Sequence, residues 1–200
     1  FYVMTQICLV RHGETDWNYR GLVQGSTDIP LNERGYAQAG EAGAFLARDH
    51  WDFLYASPLS RAYETAATIG RHIGLSQIHT DRRLQERNFG EAEGMEVSLR
   101  KELYRGRQIP RAETWEDVQS RGIEVIDEIA LRHPDSRIVV VSHGGFIAGL
   151  LFLLSKGDIA PGNPPLRNTC MNLLSYDGNW RIEWYNRVAS EHEKIGALEK

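Results

Sequence analysis

Two hundred residues, 42% of them hydrophobic and 25% charged, are enough for one domain with a substantial core. A formal net charge of −4 argues against nucleic acid or an acidic membrane as the main partner. The longest apolar stretch, Phe146 to Leu154, is far shorter than the ~20 residues a membrane span needs, and it reads as a core helix. The two cysteines, Cys8 and Cys170, do not make a disulfide framework, so a reducing cytoplasm is the expected setting. No signal peptide is visible, and Phe1-Tyr2-Val3 read as an addition ahead of Met4, the expected natural start.

The first element is the apolar run Ile7-Cys8-Leu9-Val10, which reads as a buried strand. It stops at Arg11-His12-Gly13-Glu14-Thr15, placing a cation and an imidazole at the carboxyl end, where open α/β sheets bind ligands. Gly13 lets the backbone turn sharply or approach a ligand closely. A polar loop covers Thr15 to Pro30. A helix follows, capped by Asn32 and running through Ala37, Ala44 and Leu46. The strand Phe53-Leu54-Tyr55-Ala56 ends in Ser57-Pro58-Leu59-Ser60-Arg61 and feeds a helix from Leu59 to Ile73, with Ala62, Ala66 and Ile69 on one face. Ile78 to Thr80 is a short strand.

Asp81 to Pro110 is the least regular stretch, with one helix expected around Leu99 to Tyr104. Trp115, Val118, Ile126 and Ile129 fit the inner stripe of a long helix ending before Pro134. Ile138-Val139-Val140-Val141-Ser142 is a third buried strand, and it ends in His143-Gly144-Gly145. Thr169 to Tyr176 and Trp180 to Asn186, joined by Asp177-Gly178-Asn179, form a closing antiparallel hairpin. The alternation predicts a single domain over residues 1–200: a three-layer α/β/α fold with a mostly parallel central sheet and a small helical cap inserted at roughly 93–115.

Three strands thus each deliver an Arg or a His at the carboxyl end. A phosphoryl group in flight spreads negative charge over its oxygens, so its enzyme mainly supplies position and positive charge. Arg11 and Arg61 suit that role through the guanidinium fork, and Arg61 falls in the first turn of its helix, where the dipole favours an anion. His12 could be the nucleophile, and His143, if protonated, a supporting cation. Glu86, after the Ile78 strand, can reach the same edge and protonate a departing oxygen; alone it reads as a surface salt-bridge residue. Scattered histidines and the absence of HExxH, CxxC, GxGxxG and P-loop patterns argue against metal, dinucleotide and nucleoside triphosphate sites.

The chain resembles the histidine phosphatase superfamily, in the branch of cofactor-dependent phosphoglycerate mutases and bacterial broad-specificity phosphatases. The resemblance rests on Arg11-His12-Gly13-Glu14-Thr15 with Trp17-Asn18, then Gln24-Gly25 with Asp28 and Pro30-Leu31. It continues in Ser57-Pro58-Leu59-Ser60-Arg61-Ala62 with Glu64-Thr65-Ala66, in Leu84-x-Glu86, and in Ser142-His143-Gly144-Gly145. It implies a phosphoglycerate mutase-like fold. It also implies that His12 forms a phosphohistidine, that Arg11, Arg61 and His143 complete the phosphate pocket, that Asn18, Gln24, Gly25 and the backbone of Gly144 add hydrogen bonds, and that Glu86 acts as proton donor. No metal or other cofactor is implied.

Glu86-x-x-x-Gly90-x-x-Glu93-Gly94 resembles the phosphatase pattern, although Ala92 replaces its usual Trp; Phe89 departs from the Tyr of mutases. The compact stretch between Glu86 and His143, holding Arg105, Arg107 and Arg111, favours a phosphomonoester hydrolase acting on small phosphorylated metabolites. The alternatives are a phosphoglycerate mutase and, from another class, a non-catalytic phosphate-recognition module. Arg100, Lys101, Arg105 and Arg107 either greet a second acidic group or form a solvated helix face. A homodimer stays open.

Overall fold

The computed structural model describes residues 4–191, so the reading of Phe1-Tyr2-Val3 lies outside the described residues. Six strands form one sheet: β1 (Thr5–Arg11), β2 (Phe53–Ala56), β3 (His79–Thr80), β4 (Arg137–Ser142), β5 (Met171–Tyr176) and β6 (Trp180–Arg187). Their order is β3-β2-β4-β1-β5-β6. The first four in that order run parallel, and β5 and β6 are antiparallel additions at one edge.

Two-residue periodicity splits the strand side chains between two cores. Ile7, Leu9, Ile138 and Val140 meet α5 (Trp115–Arg132) and α6 (Gly144–Leu154) on one face through Val125, Ile126, Phe146 and Leu150. Cys8, Val10, Val139 and Val141 meet α2 (Glu33–Leu46) and α3 (Ser60–Ile73) on the other through Leu46, Ala62, Ala66 and Ile69. The result is the three-layer α/β/α arrangement, with Asn32 capping α2 by accepting from the Gly35 amide at 2.8 Å.

Several local expectations change. The loop after β1 contains a short helix, α1 (Asp16–Tyr19), closed by a capping box between Thr15 and Asn18. Gly13 serves a protein contact: a Cβ there would lie 2.4 Å from the Gly35 carbonyl oxygen, so its lack of a side chain lets α2 approach the end of β1. Leu59 is extended and precedes α3, which borrows its cap from Asp28: that carboxylate accepts from the Ser60 amide at 2.8 Å. Trp115, expected on the inner stripe of α5, is only half-buried and stacks with the Arg87 guanidinium, 4.5 Å from the ring centroid.

Between β3 and α5 lie two 3-10 turns, Arg82–Leu84 and Gly90–Ala92, and α4 (Val97–Leu103). Val23, Phe89, Ala92 and Ile109 form a small separate core there, backed by Val97 and Tyr104. This segment rims the carboxyl edge of the sheet.

Candidate active site

β2, β4 and β1 are neighbours, so whatever follows them converges on one place. Arg11 closes β1 and His12 follows it; His143 follows β4; the turn after β2 leads into α3, whose second residue is Arg61. The two imidazoles meet edge to face with ring centroids 5.2 Å apart. His12, His143 and Arg61 are all buried.

The His12 ring is oriented by its neighbour: Nδ1 stands 2.7 Å from the Gly13 carbonyl oxygen. A carbonyl only accepts, which assigns the proton to Nδ1 and leaves a lone pair on Nε2. Arg61 Nε donates to that Nε2 at 3.3 Å. Burial pushes the His12 pKa well below its ordinary value of 6.5, and Arg61 and Arg11 push the same way. The ring is therefore neutral near pH 7.

Arg61 is held by backbone. Its Nη1 donates to the Thr27 carbonyl and its Nη2 to the Gly25 carbonyl, both at 2.7 Å. Burial lowers its pKa to about 10, which leaves the guanidinium charged at neutrality. Gly25 presents its carbonyl from a left-handed φ of +55°, a conformation glycine adopts freely. Glu93 secures the same loop, accepting from Thr27 N at 2.9 Å, Thr27 Oγ1 at 2.7 Å, Ser26 N at 3.2 Å and Phe89 N at 3.0 Å. Sequence reasoning quoted Glu93 within a motif but gave it no task; its spacing from Gly90 and Gly94 was the available signal.

Arg11 donates through Nη1 to the Leu166 carbonyl at 2.5 Å, while its Nε is buried with no hydrogen-bond partner. His143 pairs through Nε2 with Ser57 Oγ at 2.8 Å, and its Nδ1 likewise has none. These are the two such side-chain atoms among the described residues. An unpaired buried polar atom costs about 1–3 kcal/mol, so two of them at the ends of neighbouring strands point to a ligand that supplies polar partners. Burial first, then Arg61, His12 and Arg11, push the His143 pKa well below 6.5. The protonated form expected from the sequence is thus disfavoured, by burial first and by the surrounding guanidinium groups after it. Ser57, its partner, belongs to the Ser57-Pro58-Leu59-Ser60-Arg61 motif, where a serine before Pro58 reads as turn and carries no assigned role.

Glu86 follows the Arg82–Leu84 turn and accepts from Gly145 N and Phe146 N, both at 2.9 Å, and from Arg87 N at 2.8 Å. It makes no ion pair among the described residues, unlike the surface reading of it. The amino terminus of α6 thus anchors the carboxylate at the cleft. A Cβ at Gly145 would fall 2.5 Å from Glu86 Oε1, and one at Gly144 would fall 3.1 Å from Arg11 Nε, so both glycines make room for site side chains. Asn18 and Gln24 sit beside this group. Asn18 Oδ1 accepts from Thr15 N and from Asn168 Nδ2, each at 3.2 Å, and Gln24 Oε1 accepts from Thr15 Oγ1 at 2.6 Å.

The opening to solvent is a cleft of about 400 Å³ with Arg11, Glu86 and Gly144 on its inner side and Phe89, Arg100 and Trp115 on its outer side. A larger groove of about 730 Å³ along β6 shares no residue with it. Among the described residues no group of three or more His, Cys, Asp or Glu is placed to hold a metal ion.

A neutral imidazole beside paired cationic and unpaired donor groups, at the carboxyl edge of a parallel sheet, defines a phosphate-handling site. Residues 7–188 match the histidine phosphatase superfamily (branch 1), and the chain belongs to that family. It is 38% identical over 184 residues to the uncharacterized phosphatase PhoE of Bacillus subtilis (strain 168), covering 92% of this chain and 95% of that protein. It is 30% identical to a glucosyl-3-phosphoglycerate phosphatase of Mycobacterium tuberculosis (strain ATCC 25618 / H37Rv), over 88% of this chain and 86% of that one. Among solved structures, a phosphoglycerate mutase of Bacillus anthracis str. Sterne superposes with a TM-score of 0.85 at 26% identity, covering 96% of each chain.

Proposed function

We propose that the protein is a metal-independent phosphomonoester hydrolase that works through a phosphohistidine on small phosphorylated metabolites. The observation that carries this is the His12 ring, whose Gly13 hydrogen bond leaves Nε2 unprotonated next to Arg61. With the Ser57 hydroxyl donating to His143 Nε2, the neutral ring carries its proton on Nδ1, so Arg11 Nε and His143 Nδ1, both unpaired, supply donors for phosphoryl oxygens. Names of relatives, which include phosphatases of phosphoserine and of glucosyl-3-phosphoglycerate, support a small-molecule substrate. Two buried free thiols support a reducing, cytoplasmic setting.

In the first half-reaction His12 Nε2 forms a bond to phosphorus while the ester P–O bond breaks, and Glu86, which enters the step in its protonated form with the anionic ester beside it, gives that proton to the leaving alkoxide. In the second, water attacks phosphorus, the P–N bond breaks, and Glu86 takes back a proton from the water. Ester plus water become alcohol plus phosphate, and His12 and Glu86 return to their starting states. Asn18, Gln24, Gly25 and the Gly144 amide shape the pocket around the transferred group.

The expected outcome is hydrolysis of p-nitrophenyl phosphate in excess EDTA, with His12→Ala lowering kcat by at least about a thousandfold. Rapid acid-free quenching should trap an acid-labile phosphoprotein in the unaltered chain. Full activity in the His12 variant would remove the nucleophile assignment. Conversion of 3-phosphoglycerate to its isomer, with no phosphate released from any ester, would favour the mutase instead.

A further inference from the structure

The cap carries charge that the chemistry above does not use. Beyond the catalytic opening, a second cleft of about 490 Å³ lies between α4 and the start of α5. The two clefts share Arg100, Lys101 and Trp115 as a common wall. Arg87 and Arg107 join Arg100 and Lys101 around the second, so four cations line one concavity.

None of the four makes an ion pair among the described residues. Elsewhere partly buried arginines are matched: Arg83 with Asp81 and Glu128, Arg121 with Glu113. Here the neighbours are aromatic. Arg87 and Arg100 stack on the same Phe89 ring, 4.9 and 5.0 Å from its centroid, and Arg87 also stacks on Trp115 at 4.5 Å. Stacking orients the planes of two like charges that repel each other; Arg87 Nε donates to the Glu113 carbonyl at 2.8 Å, and the terminal Nη donors of Arg87 and the guanidinium donors of Arg100 remain for a ligand. The carboxylate on this rim, Glu116, is exposed and stays beyond ion-pairing distance. Lys101 and Arg107 are exposed and line the same cleft.

We infer that this cleft receives a second anionic group of the substrate, so that the preferred esters have a body that crosses the Arg100–Trp115 wall and ends in a carboxylate or a second phosphate. An anion among fixed, unpaired cations relieves their mutual repulsion and satisfies their donors. The inference rests on the phosphatase reading and adds to it a rule for substrate shape: a phosphate at one end, a negative charge at the other, and a body long enough to reach.

The test uses linear alkyl monophosphates of graded length, each ending in a carboxylate, a second phosphate or a methyl ester. For the unaltered chain, kcat/KM for the charged compounds should exceed that for the ester by about tenfold at one favoured length. That preference should shrink in high salt. In the double variant Lys101→Ala, Arg107→Ala the charged-to-ester ratio should fall towards one; both positions are exposed, and the ratio is internal to each variant. Comparison of the carboxylate and phosphate arms identifies which anion is preferred. Hydrolysis of every ester with a ratio near one at all lengths, or a ratio untouched by the double substitution, would overturn the inference alone. Failure to release phosphate from any compound would overturn the phosphatase reading with it.

Discussion

Arg61 shows how a site can depend on residues that never face a substrate. Its guanidinium is steered by two backbone carbonyls, from Gly25 and Thr27, and those carbonyls are set by the Glu93 carboxylate. Glu93→Gln keeps one acceptor oxygen but loses charge and half the acceptor capacity. It should lower kcat for an aryl phosphate by about tenfold, or ~1.4 kcal/mol, with KM changed less, because Arg61 acts on the group in transfer. An unchanged kcat in steady-state kinetics would show that the loop holds Arg61 without Glu93. His12, Arg61, His143 and Glu86 were legible because each stands just beyond a strand-like run. Glu93 and Ser57 stand in the same motifs, but their tasks were not legible, since their influence passes through a loop backbone and a ring nitrogen.

The elements themselves were legible wherever period and cap agreed. α2 begins at Asn32 as its sequence implies, and Asn32 does double service: its Oδ1 accepts from Gly35 N at 2.8 Å and its Nδ2 donates to Glu14 Oε1 at 3.0 Å. Asn32→Ala should cost about 1 kcal/mol of stability, seen as a lower denaturation midpoint at unchanged m-value. α3 was harder to delimit, because its cap comes from Asp28, far away in sequence. The cap segment was the least legible of all. Its small core joins Val23 to Phe89 and Ile109 across long sequence separations, and Trp115 turns from the main core to stack with an arginine. A helical stripe read from spacing alone has no way to register that exchange.

At the scale of the whole molecule, burial of histidines sets the response to acid. His12, His143 and His133 all have pKa values below 6.5 in the folded chain, burial being the largest cause each time. The unfolded chain takes up those protons near pH 6.5 while the folded one does not. Stability is therefore unpenalised above that pH and declines as pH falls below it, by up to about 1.4 kcal/mol per pH unit for each fully buried ring. Asp81, held below 3.8 by its hydrogen bond to Arg83, works in the same sense in a more acidic window: its stabilisation is present above about pH 3.8 and lost as pH falls through its lowered value. Urea unfolding at pH 7 and pH 5 should show the loss. Equal stability at both would mean that the buried rings accept protons within the fold.

Strand order carries one more consequence. The three strands that present the site, β2, β4 and β1, occupy the interior of the sheet, while β3 and β6 take the margins. Sheets fray from their outer members inward, and such partial openings need far less free energy than full unfolding. His12, Arg61 and His143 are thereby tied to interior strands, whereas Glu86 is reached through the marginal strand β3. Breathing at the β6 border leaves the two imidazoles and Arg61 in place, while opening at the β3 border acts first on the segment that carries Glu86.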